Sequence, residues 1–226
     1  MAIRTESECT EPELAALMRA MLASNPAGRR LEIGTAAGGT LKRMMLAYPA
    51  AERPSFVVID PMTYFPGQRA AVEANLATAG IDPGTVEFRV ETSARALARA
   101  LRADERFDFI FIDGNHALRA VTQDLRWTRL LNPGGFVCLH DYEETDRIVI
   151  PGVKLALDGF LAHRRHYALR EVVGAMAIVE KLDWGAPEVG AGELAAAWGR
   201  QLALRWRHSL AKRLPGSPSA SATATP

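Results

Sequence analysis

Cysteine is scarce in this chain: Cys9 and Cys138 are the only two in 226 residues. That excludes a disulfide-stapled scaffold. With Cys138 inside the apolar run Phe136-Val137-Cys138-Leu139, it predicts a buried, inert thiol and a reducing, cytoplasmic compartment. Long hydrophobic runs are lacking as well. No stretch approaches the roughly 20 apolar residues that cross a bilayer. Met1 to Thr10 carries charges where an export signal needs an apolar block, so neither a transmembrane protein nor export by that route is expected. Neither sign of charge is in excess: 27 basic against 26 acidic side chains leave +1, a balance that argues against nucleic acid as a partner. There is no internal repeat, which excludes a solenoid. A chain of this length can bury the core of one large α/β domain without staples.

What is present begins with Leu31-Glu32-Ile33-Gly34-Thr35-Ala36-Ala37-Gly38-Gly39-Thr40, an apolar strand end running through small residues into the helical segment Leu41 to Met45. Glycines at 34, 38 and 39 would let backbone approach a bound molecule closely, and the following helix presents free N–H groups with a partial positive charge. A second strand, Ser55 to Asp60, ends on a carboxylate placed to accept both hydroxyls of a ribose. Together they imply a nucleoside-bearing cofactor.

The remaining order is regular. Thr10-Glu11-Pro12-Glu13 has capping-box spacing, and Leu14, Leu17, Met18, Met21 and Leu22 follow at helical intervals, predicting a first helix within residues 1–27. Apolar runs come at Leu31 to Thr35, Phe56 to Asp60, Val86 to Val90, Phe107 to Asp113 and Phe136 to Asp141, separated by helical or mixed segments. Strands alternating with helices predict a doubly wound, mostly parallel sheet. Two further runs, His166 to Val173 and Ala175 to Glu180, lie back to back around Gly174, too close for a helical crossover, so they form an antiparallel hairpin and complete seven strands. A helix from Pro151 to His163 precedes it. One domain over residues 28–182 is expected, then a loop and basic helix over 183–214. Residues 215–226 are low-complexity and expected to be disordered.

The ordered set Glu32-Ile33-Gly34, Gly38-Gly39-Thr40-Leu41, Ile59-Asp60, Phe111-Ile112-Asp113-Gly114-Asn115-His116, Leu131-Asn132-Pro133-Gly134-Gly135, His140-Asp141-Tyr142 and Pro151-Gly152-Val153 resembles class I S-adenosylmethionine-dependent methyltransferases, more narrowly the small O-methyltransferase-like families. Each motif alone is weak; the set in this order, from about residue 28 to 182, is specific. The resemblance implies the Rossmann-like methyltransferase fold and S-adenosylmethionine as cofactor. It implies that Glu32, Gly34 and Gly38 hold the methionine end, that Asp60 binds the ribose, and that Thr35 and Asp113 also belong to the cofactor site. It also implies an acid just beyond the third strand for the adenine amino group. Glu91-Thr92-Ser93 departs from that pattern, which leaves Ser93, or the backbone N–H of Ala94, for the contact.

Methyl transfer from a sulfonium is an in-line displacement whose rate comes mostly from positioning. A hydroxyl acceptor must also lose its proton, to a side chain or with the help of a divalent metal. Asp113, His140 and Asp141 close adjacent parallel strands and form the candidate metal set, for magnesium or manganese; the alternative is that they cap helices and loops. His116 is the candidate general base, with His140 and Asp141 as the other candidates, because Asn115, where some relatives carry an aspartate, cannot accept a proton. The alternative for His116 is a helix-terminal hydrogen-bonding role. Tyr142, Glu143 and Glu144 either line the acceptor side or form a solvated loop; Met62, Tyr64, Phe65 and Pro66 either cover the ligand or fill core.

Trp198, Leu202, Trp206, Leu210 and Leu214 recur every four residues among Arg200, Arg205, Arg207, His208, Lys212 and Arg213, predicting a basic amphipathic helix over 193–214. Its stripe is expected to pack on the domain or on a second copy in a homodimer, with peripheral contact to an anionic membrane as the alternative. The function expected is methylation of a small-molecule acceptor of sugar or natural-product type. The competing readings are an NAD-dependent oxidoreductase, against which Ala36 stands at the middle glycine of that fingerprint, and a cofactor-binding domain without catalysis.

Overall fold

The computed structural model describes residues 6–143, 152–185 and 189–211. Seven strands, β1 (Arg30–Ile33), β2 (Phe56–Ile59), β3 (Val86–Arg89), β4 (Phe107–Ile112), β5 (Leu131–Leu139), β6 (Tyr167–Val173) and β7 (Met176–Lys181), form one sheet in the order β3-β2-β1-β4-β5-β7-β6. The first five run parallel; β7 pairs antiparallel with both β5 and β6. The doubly wound sheet with its terminal hairpin is therefore present as expected. β4 reads Phe-Asp-Phe-Ile-Phe-Ile with every residue buried, because the sheet is covered on both faces.

Side-chain alternation sorts the core. Phe109 and Phe111 of β4 point to the face holding α1 (Glu11–Ala23), α2 (Gly39–Leu46) and α3 (Gln68–Thr78); Ile110 and Ile112 point to the face holding α4 (Ser93–Arg102), α5 (Leu118–Asp124) and α6 (Gly152–Ala162). Strand order reverses between β1 and its two neighbours, β2 and β4, so the loops leaving β1, β2 and β4 diverge and open a crevice at their carboxyl ends.

Three expectations change. β5 starts at Leu131 rather than Phe136: Phe107 pairs with Leu131 and Phe109 with Phe136, so Asn132 to Gly135 form a bulge. Its Asn132 Nδ2 donates to Asp108 Oδ1 at 3.0 Å. Tyr142 is a core residue, 5% exposed, with its hydroxyl donating to Asp158 Oδ1 at 2.7 Å, so it does not line an acceptor site. Glu143 pairs with Lys154 at 3.3 Å, whereas Glu144, Pro151 and the 215–226 tail lie outside the described residues.

The third change concerns α7 (Ala191–Ala211). Its first turns dock: Ala197 is buried, Leu194 packs on the core, Glu193 pairs with Arg164 at 2.7 Å, and Gln201 Oε1 accepts the Arg119 N–H at 2.9 Å. The expected seam does not form on this domain, since Trp198, Leu202 and Trp206 are 54%, 44% and 72% exposed. Each four-residue step overshoots the 3.6-residue turn, so the stripe winds off the contact line. The partner helix α5 is itself only seven residues long. Among the described residues no helix is long and apolar enough to cross a membrane.

Candidate functional site

The crevice is a cleft of about 1240 Å3, ample for a nucleoside cofactor and a small second molecule. Its floor is the loop leaving β1. Gly34 sits at φ +83°, and a Cβ there would lie 2.4 Å from the Asp113 carbonyl oxygen; glycine is required because the β1 and β4 loops touch backbone to backbone. Of the two later glycines, Gly39 lines the cleft and Gly38 does not. Gly38 caps α2 at φ +80° outside the cleft lining, and a Cβ on Gly39 would meet the Glu6–Ser7 backbone at 2.4 Å. That N-terminal segment crosses the cleft wall and is pinned by Ser7 Oγ to Thr40 Oγ1 at 2.8 Å.

Glu32 points into the cleft from β1. It is 1% exposed, and its Oε2 has no hydrogen-bond partner among the described residues. Burial, with the negative charge of Asp113 and Asp60 nearby, pushes its carboxyl well above the usual range. A buried, partnerless carboxylate oxygen is costly unless something cationic meets it, and the amino group of a bound methionine moiety fits that need. Asp60 closes β2 and is fixed by two backbone donors, Thr35 N–H to Oδ2 at 3.0 Å and Met62 N–H to Oδ1 at 2.6 Å. Its remaining lone pairs are free to accept ribose hydroxyls. Met62 packs on the core, whereas Tyr64, 79% exposed, stands at the mouth.

The far wall differs from expectation. Ser93 lines the cleft, but its hydroxyl accepts the Trp127 indole N–H at 2.9 Å. Glu91 is ion-paired with Arg99. The acid facing this end is instead Asp124 of α5, 5% exposed, whose carboxyl burial pushes up to about 7 despite Ser93 beside it. Next to it, Gln123 Nε2 is buried without a partner. Sequence reasoning missed both residues because they sit at the end of a short helix with no strand-end signal. A raised carboxyl pKa makes the folded state bind the extra proton, so stability falls as pH rises from the unfolded value near 4 through about 7. Asp124→Asn is therefore expected to raise the melting temperature at pH 8.5 by several degrees and to leave it nearly unchanged at pH 4; equal melting of the two proteins at pH 8.5 would contradict this.

At the carboxyl ends of β4 and β5, Asp113, His116, His140 and Asp141 converge as the strand register requires. His116 Nε2 lies 3.0 Å from Asp141 Oδ2 and 3.7 Å from Asp113 Oδ1; His140 Nδ1 lies 3.4 Å from Asp141 Oδ2 and 3.5 Å from Asp113 Oδ1. Asp113 and His116 line the cleft, with His140 and Asp141 one layer behind. Asp113 and Asp141 push the His116 imidazolium up to about 9 against burial. Burial opposes the charge on His140, yet the same two carboxylates raise its pKa. In return, Asp113 and Asp141 are held below the usual carboxylate range although burial acts to raise them. Asp141 adopts φ +58°, a strained backbone for a non-glycine residue, and the turn is tied down by Tyr142 N–H to Ala175 O at 2.8 Å. Asn115 caps the next turn, its Oδ1 accepting the Ala117 N–H at 2.9 Å. Glu13 was legible only as a capping residue. It takes the Thr10 N–H at 2.6 Å and the Ala175 N–H at 2.7 Å, and its Oε2 stands 3.7 Å from His140 Nε2.

The comparisons agree with this geometry. Residues 31–142 match a family described as a methyltransferase domain. A putative O-methyltransferase from Klebsiella pneumoniae is 18% identical, with 80% of this chain and 84% of that one covered and a TM-score of 0.62. An O-methyltransferase from Bacillus cereus, in complex with SAH, is 17% identical over 79% and 84% with a TM-score of 0.59. The O-methyltransferase TomG from Streptomyces achromogenes, involved in tomaymycin synthesis and in complex with SAM, is 23% identical over 77% and 81% with a TM-score of 0.56. No curated protein matches the sequence. The solved structures share the seven-stranded fold, and the family match spans the strand ends and loops that build the cleft. Residues 31–142 thus match a methyltransferase domain, and the chain as a whole has the Rossmann-like methyltransferase fold.

Proposed function

We propose that the chain O-methylates a small hydroxylated acceptor of sugar or natural-product type. The observation that carries this reading is one cleft with two differentiated ends: the partnerless Glu32 carboxylate and fixed Asp60 at the first, the Asp113–His116–His140–Asp141 cluster at the second. When bound, S-adenosylmethionine supplies the electrophilic methyl group. Glu32 meets its amino group and Asp60 its ribose, while Gln123 and Asp124 are left for the polar edge of adenine. The neutral form of His116, which grows as pH rises toward about 9, faces the cleft backed by Asp141 and takes the acceptor's hydroxyl proton as the oxygen attacks. The acceptor types follow two of the structural neighbours, TomG and a TDP-rhamnose 3'-O-methyltransferase of calicheamicin biosynthesis. Asp113, His140 and Asp141, with His140 Nδ1 3.5 and 3.4 Å from the two carboxylates, would be the ligands of a divalent cation such as magnesium or manganese, which would lower the pKa of a hydroxyl it bound.

This division of labour predicts a split. Asp60→Ala is expected to weaken S-adenosylhomocysteine binding roughly tenfold or more, the loss of hydrogen bonds to a charged acceptor. Asp141→Ala is expected to spare that binding and lower turnover about 100-fold, as loss of a general-base partner does. Calorimetry and transfer of a radiolabelled methyl group to a panel of hydroxylated acceptors measure the two effects. Two variants that behave alike would contradict the assignment.

A further inference from the structure

Behind the cleft surface, the acid and histidine cluster continues into a thiol. Cys9, just before the N-cap of α1, is 6% exposed, and its sulfur forms with Asp113 and His140 a set of ligand atoms all within 4.8 Å of one another. Asp113 is shared with the outer set Asp113, His116 and Asp141, which meets the same limit. We propose that this inner set of sulfur, imidazole nitrogen and carboxylate oxygen is a binding site for a thiophilic divalent cation, zinc in class, with Asp141 or a water completing it. The inference rests on the reading that a divalent cation belongs at this end of the cleft, and it changes which cation that is.

Three observations support the assignment. The imidazole-to-carboxylate separations at His140, 3.4 and 3.5 Å, exceed a hydrogen bond. They match the edges of a tetrahedron whose arms are about 2.0–2.1 Å, the ordinary zinc–nitrogen and zinc–oxygen lengths. The rear nitrogen of His140 faces Glu13, itself held by the Thr10 and Ala175 N–H groups; a carboxylate behind a ligating imidazole is what fixes the ring and its tautomer. Finally, a thiol ligand is poorly suited to magnesium or manganese, which prefer oxygen, and well suited to zinc and cobalt(II), which form strong bonds to thiolate. On binding, the ion takes the thiolate and the bare Nδ1 of His140, and the thiol proton and the Nδ1 proton leave to solvent. The segment bearing Cys9 is already fixed across the cleft wall by the Ser7–Thr40 hydrogen bond and by the close approach to Gly39, so the sulfur needs no folding event to reach its partners.

Cobalt(II) reports a thiolate ligand directly through a sulfur-to-metal charge-transfer band in the near ultraviolet. The full chain, stripped with a chelator and loaded with one equivalent of cobalt(II), is expected to show that band. Cys9→Ser is expected to lose it and to bind zinc at least about 100-fold more weakly, no less than the loss of a supporting residue costs such sites. Wild-type protein without the band, a band that survives in Cys9→Ser, or zinc displaced by an equal concentration of magnesium would each overturn the proposal. S-adenosylhomocysteine titration of the same samples separates the two readings. Cofactor binding without the cobalt band removes the thiol ligand and leaves the methyltransferase site intact, whereas the band without cofactor binding does the reverse.

Discussion

Gly34→Ala is expected to lower stability by about 3 kcal/mol, from a left-handed backbone costing an alanine roughly 1–2 kcal/mol and an overpacked contact costing roughly 1–3 kcal/mol. The contact cannot relax cheaply. At φ +83° the new methyl would lie 2.4 Å from the Asp113 carbonyl oxygen and 2.6 Å from the Gly114 Cα, and both are backbone atoms of the loop that presents Asp113 and His116. For a chain of this size such a loss shifts the melting temperature by about 6–12 °C. The methyl would also push the β4 loop away from the β1 loop, so turnover is expected to fall more steeply than stability at a temperature where both proteins are folded. A thermal scan showing the variant melting within about 2 °C of wild type would contradict the close approach.

Glu32→Gln is expected to move stability and affinity in opposite directions. In the free protein the buried carboxylate, its Oε2 without a partner, is a cost to the fold, so the neutral amide should melt at the same temperature or higher. The cofactor loses a charged partner, which weakens S-adenosylhomocysteine binding about 10- to 100-fold, the size of a hydrogen bond to a charged group. Wild-type affinity in the variant would show that the amino group is held elsewhere. The combination of higher melting and weaker binding is hard to produce by general disruption, which lowers both.

The parts of this molecule read from sequence were those that short-range pattern encodes. Parallel strands buried on both faces are continuous apolar runs, which is why β1, β2 and β4 were visible, and a carboxylate at the end of such a run points to the crevice, which placed Asp60, Asp113 and Asp141. The family match over 31–142 agrees with the methyltransferase resemblance. What pattern could not encode is which groups from distant segments meet there. Cys9 enters from the segment before the first helix and Glu13 from its first turn, and only the folded chain sets Glu13 beside His140 and the Ala175 turn. Asp124 closes a seven-residue helix with no periodic signal. Likewise Tyr142 sits between two acids in a loop-like string, yet its ring is core and its hydroxyl is satisfied by Asp158. Spacing alone made the Trp198–Leu202–Trp206 stripe look buried; the partner helix ends before it can cover the stripe.

An unperturbed imidazole at His116 would titrate at about 6.5. Two carboxylates at 3.0 and 3.7 Å raise it to about 9, so in the free protein it is a cation at neutral pH and its pairing contributes stability that is complete below the unfolded value near 6.5. That contribution is lost as pH rises through about 9.

The most direct measurement is a calorimetric titration of the full chain with S-adenosylhomocysteine. The account predicts saturable binding of one molecule per chain, weakened in Glu32→Gln and Asp60→Ala and kept in Asp141→Ala. No binding by the wild-type protein at millimolar ligand would contradict it.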